Sequence, residues 1–247
     1  MSTTSLPLAG KVAVVCGGSG GIGAASARLL AAAGAAVVVG YHGNRAKAEE
    51  VAASLPGTGH RALAAPMTDS AGLARLAQAL DRADILINAA GMTRPVPHGD
   101  LDGLTDELID EVFRVNWRGP FAAVRALRPL LAASGDGLVV NVSSIAATTG
   151  VGSSIAYCGA KAGLDIMSVA LARALAPRIR VLVVAPGVVD TDFVAGRTAE
   201  QNAKIAAGTP LQRVASTDEV ARAVLACATH LTFSTGSIVQ VDGGRHL

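Results

Sequence analysis

The strands of this chain carry almost no polar face. Val37-Val38-Val39 and Val181-Leu182-Val183-Val184 are apolar at every position. A strand with one wet face alternates apolar and polar residues; one that is apolar throughout belongs in a sheet covered on both sides, which is the habit of parallel sheets. The expected strands are Lys11–Cys16, Ala36–Gly40, Arg61–Ala65, Ile85–Asn88, Leu138–Val142, Ile179–Val184 and Ser237–Val241, several of them apolar at nearly every position. Between them, helical spacing runs over Ile22–Ala33, Arg45–Ser54, Leu73–Leu80, Asp106–Arg114, Pro120–Ala133, Ser154–Ala176 and Asp218–Thr229. The alternation predicts an α/β fold: one doubly wound parallel sheet of about seven strands, with residues 1–247 as a single domain. Ligands of such sheets sit at the carboxyl ends of the strands.

Composition narrows the class. Of 247 residues, 51% are apolar, which supplies a sizeable core and excludes disordered and disulfide-stapled chains. Aromatics are only 3% and glycines number 28, so the bulk is small and suits helices lying close on a sheet. Net charge is +2 with the basic residues scattered, which gives no footprint for nucleic acid or a membrane surface. Mean hydropathy is positive, but the longest uncharged stretch, Gly137–Ala160, holds Asn141, serines, threonines and glycines that a lipid-facing helix would not carry. No transmembrane helix is expected, and the start of the chain lacks the basic, then apolar, pattern of a signal peptide. Cys16, Cys158 and Cys227 are odd in number with no CxxC pair, which fits a reducing, cytoplasmic compartment. The histidines lack metal-ligand spacing and Asp190 and Asp192 lack partners, so no catalytic metal is expected.

After the first strand comes Cys16-Gly17-Gly18-Ser19-Gly20-Gly21-Ile22-Gly23, opening into a helix. Glycines let a pyrophosphate approach the helix N-terminus, whose free N–H groups and dipole favour an anion. Two spacings fit: GxxxGxG through Gly17, Gly21 and Gly23, and GxGxxG through Gly18, Gly20 and Gly23. The same glycines also suit a plain tight turn; their place between first strand and first helix points to a dinucleotide, and to a Rossmann-like fold. NAD sites commonly place a carboxylate at the end of the second strand. Here that strand runs into Tyr41-His42-Gly43-Asn44-Arg45 with no acid before Glu49. Arg45, with Asn44 and His42, could receive a 2′-phosphate, which favours NADP over NAD; alternatively Arg45 is an ordinary first-turn residue.

Tyr157 and Lys161 lie one turn apart on one helical face. An ammonium beside a phenol favours the phenolate and fits it for acid/base work near neutrality. Ser144 ends the strand thirteen residues upstream, where it could share a carbonyl oxygen with Tyr157.

These segments resemble the short-chain dehydrogenase/reductase family over nearly the whole chain. The likeness is carried by the glycine loop, Asn88-Ala89-Ala90-Gly91, and Val115-Asn116-Trp117-Arg118-Gly119. It continues through Asn141-Val142-Ser143-Ser144, Tyr157-Cys158-Gly159-Ala160-Lys161, Pro186-Gly187-Val188-Val189-Asp190-Thr191 and Asp242-Gly243-Gly244. The resemblance implies Tyr157 as general acid or base, Ser144 orienting the carbonyl, Lys161 lowering the tyrosine pKa and holding the nicotinamide ribose, and Asn116 holding a proton-relaying water. It further implies Thr191, Val189 and the Pro186-Gly187 turn at the pyrophosphate and carboxamide, with Asn88, Ala89 and Gly91 bordering the adenosine ribose. Where the family usually has Asp-Val after strand three the chain reads Pro66-Met67, so Met67 would meet adenine differently. The family's usual Thr is Cys16 and a usual Asn is Ala89, both at the brace between strands one and four. NADP-preferring members often carry a basic residue in the glycine loop, where this chain has Gly20.

Specificity is expected in Met92–His98, Ile145–Ser153 and a lid at residues 192–210, with Phe193, Val194 and Met92 as an apolar element. The nearest functional likeness is to 3-oxoacyl-(acyl-carrier-protein) reductases and secondary-alcohol dehydrogenases. Arg173 fits a carrier-docking position but Leu130–Gly135 is uncharged, so a free small ketone or alcohol stands beside a carrier-bound substrate. An NAD-dependent sugar or polyol dehydrogenase is the second enzyme reading, and a catalytically silent dinucleotide sensor the reading of another class. Family habit and the Ala-rich stretch Ser154–Ala176 imply a homotetramer.

Overall fold

The structure, a computed structural model, describes residues 5–191, 193–194 and 198–247. The seven strands are β1 (Val12–Cys16), β2 (Ala36–Tyr41), β3 (Arg61–Ala64), β4 (Ile85–Asn88), β5 (Gly137–Val142), β6 (Ile179–Pro186) and β7 (Ile238–Val241). They form one sheet in the order β3-β2-β1-β4-β5-β6-β7, and every pairing is parallel.

The helices explain why the strands are apolar on both faces. On one face Ala13, Val15, Val37, Val39, Ile85, Ile87, Val140, Leu182 and Val184 pack under α1 (Gly21–Ala32), α2 (Arg45–Ser54) and α9 (Thr217–Thr229). Their alternates Val14, Cys16, Val38, Leu86, Val139 and Val181 face α3 (Ser70–Gln78), α5 (Gly119–Ala133) and α7 (Ile155–Leu175). The side-chain period of two thus feeds two cores at once.

The remaining helices are α4 (Asp106–Phe113), α6 (Ala146–Thr149) and α8 (Ala199–Ala207), with a π-helical turn, Arg114–Arg118, joining α4 to α5. Three elements go beyond the sequence expectation: α6, the π turn and α8. The expected lid contains α8, opened by a capping box in which Thr198 accepts from Gln201 N and Gln201 Oε1 accepts from Thr198 N. Asp192 and residues 195–197 of that lid lie outside the described residues. Helix α3 starts three residues earlier than its apolar pattern, because Asp69 Oδ1 caps it by accepting from Ala71 N at 2.9 Å. Helix α7, with 21 residues, is long and apolar enough to cross a bilayer by length and composition; here 56% of its most apolar window is buried, and it packs on α6 and β6.

Candidate active site

The strand order reverses beside β1: the chain runs outward through β2 and β3, then returns to place β4 on the other side. Connections diverge there, which opens a crevice at the carboxyl ends of β1 and β4. The glycine loop lines it. Gly17 has φ +79°, and a Cβ there would lie 2.6 Å from Ala90 N; one on Gly23 would lie 2.1 Å from Gly17 O. No other residue fits either position. Gly20 has ordinary room, its first neighbour being 3.5 Å away, and Gly21 has φ +50°. The fold therefore needs Gly17, Gly21 and Gly23, and Gly18 as well, where a Cβ would lie 2.9 Å from Val15 O; Gly20 is the loop glycine free of that demand.

Helix α1 begins here with no side-chain cap and no acid in its first turn, so its first N–H groups remain for an anion. Ser19 and Ile22 are partly exposed along the same loop. Thr191, after β6, brings its methyl within 3.8 Å of a Cβ position on Gly21. The cradle fits a dinucleotide pyrophosphate. Across it, Gly187 is pressed against Asp242, whose Cβ would be 2.9 Å from a side chain there, and Val189 bridges to Ala215. Together these contacts pin the Pro186–Thr191 loop.

At the end of β2 the structure redistributes the expected roles. Asn44 is spent as the cap of α2, its Oδ1 accepting from Lys47 N at 3.0 Å. Arg45 points along the helix to Glu49, Nε to Oε1 2.7 Å. His42 is exposed and Tyr41 partly so. Lys47, absent from the sequence expectation, reaches the glycine loop: its Nζ is 3.5 Å from a Cβ position on Gly20. The sequence carries the charges of this turn but not their distance from the loop. Two cations and no acid in the first turn of α2 oppose the helix dipole, which is unfavourable unless an anion sits near.

Other expected cofactor residues turn inward. Met67 is 5% exposed and packs in the helix-side core. Asn88 is buried, its Nδ2 donating to Asn141 Oδ1 at 2.8 Å, and Asn141 Nδ2 donates in turn to Ser168 Oγ at 2.8 Å. Asn88 is thus a brace from β4 through β5 to α7. The β1–β4 brace runs through the main chain, Ala89 N to Cys16 O at 3.0 Å, so Cys16 and Ala89 need no polar side chain. The Cys16 thiol, fully enclosed, is pushed up to about 12 by burial.

The reacting groups come from β5, α7 and the π turn. Ser154 Oγ caps α7 by accepting from Tyr157 N at 3.2 Å, which fixes Tyr157 in the first turn. Ser144 stands beside the Tyr157 phenol, and its Oγ accepts from Ala146 N at 3.2 Å. Burial pushes the Tyr157 hydroxyl above its ordinary range, and the neighbouring Ser144 hydroxyl opposes that rise. Lys161 Nζ donates to Val142 O at 2.8 Å and stands 5.8 Å from the Tyr157 ring centre. Burial brings its pKa down to about 8, with Asp165 pulling the other way. In this structure the lysine therefore has only a modest hold on its own charge.

Asn116 sits in the π turn with no exposed surface. Its Nδ2 donates to Val112 O at 2.9 Å and to Met92 O at 2.8 Å. The side chain thereby supplies the donor that the widened turn takes from Val112, and ties helix to cleft loop. Both amide hydrogens are committed, so a water held at Asn116 would bind an oxygen there. Phe193 leans over the cleft, its ring 6.0 Å from the Tyr157 ring and 3.5 Å from a Cβ position on Gly91. With Met92 it makes an apolar wall.

Comparison with known proteins agrees with this geometry. The family model described as "Enoyl-(Acyl carrier protein) reductase" matches residues 17–246. The chain is 40% identical to cis-4-hydroxycyclohexanecarboxylate dehydrogenase of Sinomonas cyclohexanicum, over 95% of this chain and 96% of that protein. It is 36% identical to the 3-oxoacyl-[acyl-carrier-protein] reductase FabG of Aquifex aeolicus, over 97% of this chain and 98% of the relative. Among solved structures, a dehydrogenase/reductase from Sinorhizobium meliloti superposes with TM-score 0.88 at 33% identity, over 99% of this chain and 98% of that one. Glycine cradle, Ser–Tyr–Lys cluster, sheet order and full-length likeness converge: the chain belongs to the short-chain dehydrogenase/reductase family, as an NAD(P)-dependent oxidoreductase resembling the 3-oxoacyl-(acyl-carrier-protein) reductases.

Proposed function

We propose that the protein reduces a ketone to a secondary alcohol with NADPH, with Tyr157 as the proton donor. The observation that carries this reading is the pair of neighbouring hydroxyls, Ser144 at the end of β5 and Tyr157 in the first turn of α7, with Lys161 buried beside them near a glycine cradle. Two hydroxyls can converge on the oxygen of the carbonyl whose carbon takes the hydride. Ser144 orients the carbonyl and Tyr157 gives its proton to the oxygen as charge develops. The bound nicotinamide dinucleotide supplies the hydride to the carbonyl carbon. Lys161, held by Val142 O, lends positive charge to the phenol so that its proton is replaced through the polar lining of the cleft. In the reverse direction Tyr157 is the base.

The NADP preference rests on the missing carboxylate after β2 and on Lys47 and Arg45 in the first turn of α2. The substrate is a 3-oxoacyl thioester or a free small ketone. Alicyclic secondary alcohols form the second reading, favoured by the apolar wall of Met92 and Phe193 and by the name of the Sinomonas relative. A sugar or polyol would meet poor hydrogen bonding on that wall. The three thiols are buried and unpaired, which supports a reducing compartment. We further read the protein as a homotetramer.

The test is a single panel. Following NADPH and NADH absorbance with β-ketoacyl thioesters, β-keto esters, cycloalkanones and a ketose separates the readings. Turnover of keto esters or thioesters with higher kcat/KM for NADPH is expected. A higher value with NADH would overturn the cofactor reading, and cofactor binding with no turnover of any compound would leave a sensor.

A further inference from the structure

Lys161 has a neighbour that the reaction above leaves unused. Asp165 stands one turn along α7, and both residues are 4% exposed. Neither carboxylate oxygen of Asp165 accepts a hydrogen bond. The nearby donor is the Ser143 hydroxyl, which lies within reach of the carboxylate but is directed to Lys161 O at 3.4 Å. One hydroxyl hydrogen cannot serve both. A buried carboxylate without a hydrogen bond is costly to the fold, and α7 would be more stable with an uncharged residue there. Such a group asks for a functional reason.

The surroundings leave Asp165 as the charge that acts on Lys161. Tyr157 and Cys158 are the other titratable groups at that end of α7. From β5 come the neutral Asn141 and Ser143, and α6 carries no titratable side chain. The α4 acids Asp106, Glu107, Asp110 and Glu111 face solvent, as do Arg114 and Arg118 of the π turn. On β6, Arg180 is held by Cys227 O and Leu231 O.

We propose that Asp165 is a positioning residue for Lys161: its carboxylate, one helical turn away in the same enclosed space, keeps the lysine ammonium charged and so able to act on Tyr157. The inference rests on reading Lys161 as the catalytic lysine. Burial favours the neutral amine and Asp165 favours the charged form; with the carboxylate gone, only burial remains. Lys161 then loses its proton at lower pH. The alkaline limb of kcat/KM moves down with it, by about one pH unit.

The chain contains only four lysines, Lys11, Lys47, Lys161 and Lys204, so carbon-13-labelled lysine resolves Lys161 by NMR without any activity assay. Titration of wild type and Asp165→Asn, with Lys161→Ala to assign the signal, gives the lysine midpoint directly. The expected results are a Lys161 midpoint about one unit lower in Asp165→Asn, a matching shift of the alkaline limb, and an unchanged or higher Tm. Asp165→Glu should restore the midpoint. Wild type alone carries the test should the Asn variant fold poorly: the Lys161 signal should show a second, acid inflection as Asp165 titrates. A Lys161 midpoint and alkaline limb unmoved in Asp165→Asn, or no acid inflection in wild type, would overturn the proposal. The two readings fail separately. Turnover by Lys161→Ala refutes the catalytic lysine, whereas an inactive Lys161→Ala with no Asp165 effect on the titration refutes only the coupling.

Discussion

At the scale of single residues, the chemistry is concentrated in a few buried polar groups whose freedom is already taken up. Tyr157 is fixed by Ser154 through its backbone, and its phenol stands beside Ser144. Removing only the hydroxyl, in Tyr157→Phe, should lower kcat by roughly 10²–10⁴-fold, the usual worth of a positioned acid. Cofactor Kd, measured by quenching of protein fluorescence, should stay near wild type; near-normal turnover in this variant would dismiss Tyr157 as the acid. The proposed 2′-phosphate recognition is also argued from single side chains. Arg45 is engaged with Glu49, and Lys47 is the cation that reaches the loop. Lys47→Ala should therefore weaken NADP⁺ binding by about tenfold, as the loss of one charge-assisted hydrogen bond does. NAD⁺ binding should change little, and Arg45→Ala should do less than Lys47→Ala. Calorimetry with the two nucleotides decides it, and a larger loss in Arg45→Ala would return the role to the arginine.

At the scale of elements, the crevice depends on β1 and β4 holding their places, and one acid ties their amino ends. Asp84 has a fully buried side chain, accepts from Val12 N at 2.8 Å, and takes Arg82 through two nitrogens at 2.7 Å, with Lys11 at 3.3 Å. Burial alone would raise its carboxyl, but the Arg82 and Val12 hydrogen bonds and the Lys11 charge outweigh that and hold it below the ordinary range. A carboxyl lowered in the fold adds stability above its unfolded pKa and loses it as pH falls through the folded value. Asp84→Ala should thus cost about 1–3 kcal/mol near neutrality by leaving Val12 N–H unpaired. The difference from wild type, read by urea unfolding at a series of pH values, should shrink on acidification. A constant difference down to acid pH would show that the charge plays no part.

The elements also mark where sequence reading stops. Strands β1 to β6 were legible because each one feeds two cores, whereas β7 lends only Val239 and Val241 to one. Tyr157 and Lys161 were legible because one helical turn separates them. Helix α8 buries none of its side chains, so no apolar stripe announced it; only its capping box did. The π turn was hidden because its cause is a bond from Asn116 to Met92 O, a contact made by the fold rather than by local pattern. Lys47 and Asp165 were missed for a related reason. Their partners, Gly20 and Lys161, become meaningful only once distance and burial are known.

At the scale of the whole molecule, two surfaces are more apolar than a lone chain needs. One runs over α4, the π turn and α7, where Phe113, Trp117 and Ile166 are exposed, Ile166 to 72%. Gly159 and Gly163 on α7 lie against Phe113 and Trp117 and keep that face shallow. The other is the free edge of β7, where Ile238 and Phe233 are exposed. An uncovered strand edge invites pairing with a second chain. These faces are offered as the interfaces of the proposed homotetramer, since dihedral two-fold symmetry needs at least two different self-complementary contacts. Charge placed on one face should therefore halve the proposed assembly and leave the other interface intact. Trp117→Glu combined with Ile166→Glu should convert tetramer to dimer in sedimentation, and Ile238→Lys should do the same independently. Adding all three should give monomer. Because α7 carries Tyr157 and Lys161 on its inner face, the dimer lacking the α7 contact should also turn over more slowly, while the β7-edge dimer keeps its rate. Wild type sedimenting as monomer would refute the assembly, and equal loss of rate in both dimers would refute the link between the α7 face and the site.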